Sequence, residues 1–192
     1  MRRRTSLLLI AAALVVACTP PTPTLPVSVL VGDSISIPIS PSGIGWVDAS
    51  GSRTVWSPGR GPSTSGTGYE AILKAARIVE PGRWVVIELG TNDVTNPSST
   101  YPWRVQQALD AVPKNRCVAW VTPHRSAVAY QQRIDIWVDE VRSRIAGHPC
   151  RAIVEWRAKA SSTPGLLRSD GIHLTARGNE VLHDMIVDVV DG

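Results

Sequence analysis

Long apolar runs, cysteine pairs of the metal-binding kind and phosphate-cradling glycine loops are all missing from this 192-residue chain. The uncharged stretch ahead of Cys18, residues 5–17, is 13 residues long, short of the about 20 needed to cross a bilayer. There are three cysteines, Cys18, Cys117 and Cys150, and none forms a C-x-x-C pair, which argues against a zinc site. No G-x-G-x-x-G or Walker pattern follows a strand-like segment, which argues against a nucleotide-binding role. No internal repeat is visible, and low complexity is confined to one Thr/Pro stretch near the N-terminus. Charge is sparse as well. With 19% charged and 43% hydrophobic residues, a disordered chain or a highly charged tail is excluded, and the length suits one domain with a fair core.

The charge that is present is unevenly placed. The formal net charge is +4, from 20 Lys+Arg against 16 Asp+Glu. Arg2, Arg3 and Arg4 supply three of those positive charges, and residues 5–17 supply none. Without that leader, 17 basic side chains face 16 acidic ones, a net of +1. Such a balance gives no electrostatic footprint for nucleic acid. The basic balance therefore describes the N-terminus, not a binding surface.

The order basic, apolar, small is that of a secretory signal. The segment Val15-Val16-Ala17-Cys18 resembles a bacterial lipobox. That resemblance implies removal of residues 1–17 and attachment of diacylglycerol to Cys18 through a thioether. The product would be held on the outer side of the cell membrane, because two or more acyl chains anchor stably where one holds marginally. Residues 18–26, rich in Thr and Pro, read as a short semi-rigid tether. The folded unit is expected over residues 27–192, working as a monomer.

Cys117 and Cys150 each open a short apolar run, at 117–121 and 150–154. If those runs are neighbouring parallel strands, their starts lie side by side, and an oxidising exterior permits a disulfide between them. Closing a loop of about 30 residues contributes on the order of 3 kcal/mol. His148 lies close to Cys150 in sequence, but two cysteines with one histidine fall short of a zinc ligand set. No metal and no cofactor is expected.

Over the remaining chain, strand-like runs alternate with helical periods. Strands are predicted at 27–31, 53–56, 84–89, 118–121 and 152–155. Helices are predicted at 69–79, 103–112, 134–145 and 181–190, from apolar residues recurring every three to four positions. Pro102 suits the first turn of the second helix, and Pro81-Gly82 ends the first. The stretch 35–52, rich in Pro, Gly and Ser, shows no long helix. Strands separated by crossover helices indicate a three-layer α/β/α domain with a mostly parallel sheet covered on both faces.

In such sheets, reactive groups gather beyond the carboxyl ends of the strands. Four blocks fall there: Gly32-Asp33-Ser34, Gly59-Arg60-Gly61, Gly90-Thr91-Asn92-Asp93 and Asp170-Gly171-Ile172-His173. A serine hydroxyl needs a base to become a nucleophile, and His173 can be that base for Ser34. Asp170, three residues upstream, can fix the imidazole tautomer. Attack on a carbonyl creates an oxyanion, which needs donors aimed where the charge develops. The backbone N–H of Ser34, a glycine N–H from the second block and the Asn92 amide can supply three.

These blocks resemble those of the SGNH, or GDSL-type, hydrolase family. The resemblance extends over nearly all of residues 27–192. It implies a flavodoxin-like fold, no metal, the triad Ser34, Asp170 and His173, and an oxyanion hole of Ser34, Gly59 and Asn92. The G-x-S-x-G nucleophile elbow of the α/β-hydrolases is absent. The second block departs from the family pattern by offering two glycines. Gly59 is favoured, since a Gly-Arg pair here looks like the branch of extracytoplasmic SGNH domains linked to cell-wall or polysaccharide acyl groups. Gly61, Arg60 and His124 are candidate substrate contacts.

Other residues have simpler readings. Asp33 is expected to cap its own turn, and Asp93 to be structural. Trp84, Trp103, Trp120, Trp137 and Trp156 sit in periodic segments and read as core or partly buried, whereas Trp46 and Trp56 are candidates for a cleft rim. The leading functional expectation is a serine esterase acting on carboxylic esters, with O-acetyl groups of cell-wall or other extracellular glycans as the candidate substrate. The same triad would serve an O-acyltransferase. A non-catalytic surface lipoprotein on this fold is the contrasting class.

Overall fold

The computed structural model describes residues 28–35, 44–48 and 68–191, with the backbone alone described for 44–48. The expected strand at 53–56, the Cys18 tether and the whole second block lie outside the described residues. Among the described residues, five strands, β1 (Ser28–Gly32), β2 (Ile44–Asp48), β3 (Trp84–Glu88), β4 (Cys117–Val121) and β5 (Arg151–Val154), form one sheet in the order β2-β1-β3-β4-β5. Every pairing in it is parallel. This is the flavodoxin-like order. Helices α1 (Gly68–Ile78), α2 (Tyr101–Asp110), α3 (Gln131–Ile145), α4 (Trp156–Ser162) and α5 (Ala176–Asp191) flank it.

The alternation of side chains along each strand builds the three layers. Val29, Val31, Val85, Ile87, Val118 and Trp120 point to one face and pack with α1, α2 and α3. Leu30, Val86, Ala119, Val121 and Val154 point to the other and pack with α4 and α5. Because both faces are covered, β1 and β4 are buried along their whole length, which is why they read as continuous apolar runs rather than alternating ones. The edge strand β5 is buried only at Val154. Of the tryptophans in periodic segments, Trp120, Trp137 and Trp156 are buried, and Trp84 and Trp103 are partly so.

Two elements escaped the sequence pattern. Strand β2 runs Ile-Gly-Trp-Val-Asp within the Gly/Pro/Ser-rich stretch, too short and too glycine-interrupted to stand out. Helix α4 has seven residues, about two turns, which is too few to display a period.

The predicted covalent link is present. Cys117 and Cys150 form a disulfide with Cα atoms 4.6 Å apart. Val118 pairs with Arg151, and the Val118 N–H donates to the Cys150 carbonyl at 3.0 Å, so the strand starts do lie side by side. The bridge closes a separation of 33 residues, worth on the order of 3 kcal/mol. It lies at the amino ends of the strands, opposite the carboxyl ends where the blocks gather.

Candidate active site

The strand order reverses direction at β1, so the crevice between the carboxyl ends of β1 and β3 is the topological switch point. Gly32 pairs with Glu88 at those ends. The first block leaves β1 there and the third leaves β3.

At the tip of β1, Asp33 is buried and Ser34 is exposed. Asp33 Oδ1 accepts the Ile35 N–H at 3.0 Å, closing an Asx turn that lifts Ser34 clear of the sheet. This is the turn-capping role expected of it. Its other oxygen does something the sequence did not reveal. Oδ2 accepts from Nδ2 of Asn92 at 2.9 Å, across 59 residues. Burial pushes the Asp33 carboxyl up, while the Ile35 N–H, the Asn92 amide and nearby His173 pull it back.

The Asn92 turn is bolted to the core from several sides. Gly90 has φ +126°, and a Cβ there would sit 2.5 Å from Nε1 of Trp137, so only glycine fits. Trp120 Nε1–H donates to the Leu89 carbonyl at 3.0 Å. Trp137 packs edge-on against Tyr101 and Trp120, with ring centroids 5.0 and 6.3 Å away. The Tyr101 hydroxyl donates to the Val94 and Asn96 carbonyls. Asp93 is fully buried and receives Arg104 of α2 at 3.0 Å. Asp93 is thus an anchor, as expected. An amide nitrogen carries two hydrogens. One of those of Asn92 goes to Asp33.

The fourth block lies on a loop before α5. Asp170 Oδ1 accepts the backbone N–H groups of Ile172 and His173, both at 2.9 Å, and Oδ2 lies 2.7 Å from Nδ1 of His173. The His173 contact and then those two N–H groups hold the Asp170 carboxyl down to about 2. It is therefore ionised near neutrality and can only accept. That places the hydrogen of neutral His173 on Nδ1 and leaves Nε2 a free lone pair. Nε2 lies 3.3 Å from the Ser34 hydroxyl oxygen, positioned to accept its proton.

No protein-family model matches the chain, and no curated protein matches it. Solved structures do. The Streptococcus pneumoniae peptidoglycan O-acetyltransferase A C-terminal catalytic domain is similar with a TM-score of 0.63 at 18% identity, over 85% of this chain and 92% of that one. A carbohydrate acetylesterase from Sinorhizobium meliloti aligns with a TM-score of 0.59 at 16% identity, over 85% and 98%. A protein from Slackia heliotrinireducens assigned to the SGNH hydrolases aligns with a TM-score of 0.59 at 12% identity, over 84% and 96%. The chain has the SGNH-hydrolase fold.

On this SGNH fold the loops bring Ser34, Asp170, His173 and Asn92 to one end of the sheet. Gly59, Arg60 and Gly61 lie outside the described residues, as do Trp56 and the side chain of Trp46. His124, a candidate substrate contact, is enclosed by its neighbours. It is 6% exposed, and both ring nitrogens lie 3.4 Å from serine hydroxyls, Nε2 from Ser126 and Nδ1 from Ser161. Burial, with Arg157 nearby, pushes its imidazole down.

Proposed function

We propose that the chain is a serine esterase that hydrolyses carboxylic esters through an acyl-enzyme, with acetyl groups on extracellular glycans as its substrate class. The observation that carries this reading is the continuous set of contacts Asp170–His173–Ser34, with Asn92 tied to the same turn through Asp33. In the proposed cycle, His173 Nε2 takes the proton as Ser34 Oγ bonds to the ester carbonyl carbon. The oxyanion is held by the Ser34 N–H, the second Asn92 amide hydrogen and a backbone N–H of the second block, with Gly59 favoured. The imidazolium then passes its proton to the departing alcohol. Water enters, gives a proton to His173 and attacks the acyl carbon; the acid leaves, and the proton returns to Ser34.

The likeness to a carbohydrate acetylesterase and to a peptidoglycan O-acetyltransferase domain supports the glycan-acetyl reading. It also keeps transfer to a sugar hydroxyl as the second reading. The exposed Ser34 and the partly exposed His173, at 39%, favour hydrolysis, because transfer requires water to be kept out. Export and lipid attachment at Cys18 belong to the same proposal and rest on the N-terminal sequence.

The direct test is hydrolysis of short p-nitrophenyl esters, with Ser34→Ala as control. Activity that persists in Ser34→Ala would sink the assignment. Released acetate without acylated acceptor, in the presence of a glycan, would reject transfer. A folded protein that fails to react with a serine-directed fluorophosphonate would point instead to a non-catalytic binding role.

A further inference from the structure

His124 is a buried side chain that the proposed chemistry does not use, and its surroundings lead to the base. The loop bearing Asp170 and His173 is bonded mostly to itself. The Arg168 N–H donates to the His173 carbonyl at 2.8 Å, and the Gly171 N–H to the Arg168 carbonyl at 2.9 Å. The Arg168 guanidinium donates through Nε to the Leu174 carbonyl at 2.9 Å. At its apex, between Asp170 and His173, stands Gly171. Its carbonyl accepts the Ser126 N–H at 2.9 Å. Gly171 also has φ +66°, and a Cβ there would lie 2.6 Å from Cβ and 2.8 Å from Oγ of Ser126. The apex is therefore pressed against Ser126 with no room for a side chain.

Ser126 itself is exposed and sits on the segment after β4, so something must hold it. Behind it lies His124, with Ser126 at one ring nitrogen and Ser161 of α4 at the other. A neutral imidazole has one donor and one acceptor nitrogen, and a hydroxyl can serve either, so both contacts are satisfied in one orientation. Thr122 fixes the root of the segment: its N–H donates to the Val154 carbonyl at 3.0 Å, and its hydroxyl accepts the Arg157 N–H at 2.9 Å.

We propose that His124 is a positioning residue for the base: lodged between Ser161 and Ser126, it holds the Ser126 backbone against Gly171 and so sets where Asp170 and His173 stand relative to Ser34. This rests on the esterase reading for its catalytic consequence, but not for its structural one. Small errors in placing a proton acceptor cost about 10-fold to 100-fold in rate. Among the described residues, the titratable and charged groups facing these are Arg157 beside His124 and Asp170 and Asp33 beside His173.

The test uses the full chain in four forms: wild type, His124→Ala, His124→Gln and Ser126→Ala. The first readout is independent of activity: the NMR resonance of the His173 Nδ1 proton, whose position and exchange report its hydrogen bond to Asp170. In His124→Ala that resonance is expected to shift and broaden. In His124→Gln, whose amide can still reach Ser126, it should return toward wild type. The second readout is ester hydrolysis, where kcat falls about tenfold in His124→Ala with KM nearly unchanged. An unchanged resonance in folded His124→Ala overturns the proposal, as does a wild-type protein without that resonance. Should His124→Ala not fold, the exposed Ser126→Ala is read in its place, with the same shift expected and the same outcome fatal. A resonance that moves as expected in a protein inactive on every ester would uphold the positioning role and discard the esterase reading.

Discussion

The two halves of the candidate site are built in opposite ways. The proposed oxyanion side, Asn92 with Asp33, sits on a turn fastened by a buried ion pair, two tryptophans and a tyrosine. The proposed base side, Asp170 with His173, is 45% and 39% exposed and rests on a self-bonded loop with Ser126 pressed against its apex. The contrast fits the role proposed for each half. An oxyanion donor works by not moving when charge appears. A base must accept a proton, pass it on and meet solvent, so it needs a fixed tautomer more than a rigid burial.

This contrast separates changes that hurt chemistry from changes that hurt folding. The largest effect should come from Asp170→Asn, which presents a donor where His173 needs an acceptor. A fall of about 10⁴-fold in kcat is expected, with an unfolding temperature close to wild type because the side chain is exposed. Kinetics alongside calorimetry would check both halves of that statement. The opposite pattern is expected of Arg104→Ala. Leaving Asp93 buried without this partner should cost about 3–5 kcal/mol of stability, while the rate per folded, probe-labelled molecule stays near normal. A large loss of rate at unchanged stability would show that the two halves are not built as described.

Asn92→Ala should fall between these, with kcat lower by about 10²–10³ and KM changed little. Reducing the disulfide, or replacing both Cys117 and Cys150 by Ala, should remove on the order of 3 kcal/mol by denaturant titration and leave kcat alone, since the bridge is at the far end of the sheet. The smallest effect is one of pH. Asp170 is held below its ordinary 3.8, at about 2. Its contribution to stability is therefore complete above about pH 4 and is lost as pH falls toward 2. Thermal melts across that window should show a slight extra loss that is absent in Asp170→Asn.

How much of this could be read beforehand depended on distance along the chain. Helices α1, α3 and α5 and strands β3 and β4 announced themselves through periodicity, because burial on one face or both leaves a pattern within ten or so residues. Glycine interruption hid β2, and brevity hid α4. The pairing of Asp170 with His173 spans three residues, and a single turn can join them, so the sequence motif already contained that geometry. The second bond of Asp33 to Asn92 crosses 59 residues and depends on β1 and β3 being neighbours. No local pattern encodes it. The surroundings of His124 were hidden for the same reason. Its position after β4 suggested the cleft, but its environment is decided by α4 and the loop before α5, which arrive from 37 residues downstream and beyond.

The disulfide has a topological consequence besides its stability. Together with the backbone it closes residues 117–150 into a covalent ring. That ring contains the exposed segment around Ser126 and Val128, the latter 87% accessible, which is the kind of site a protease cuts first. One break in a ring releases nothing. A molecule nicked between Ala127 and Ala129 would stay in one piece, its two fragments parting on a gel only after reduction.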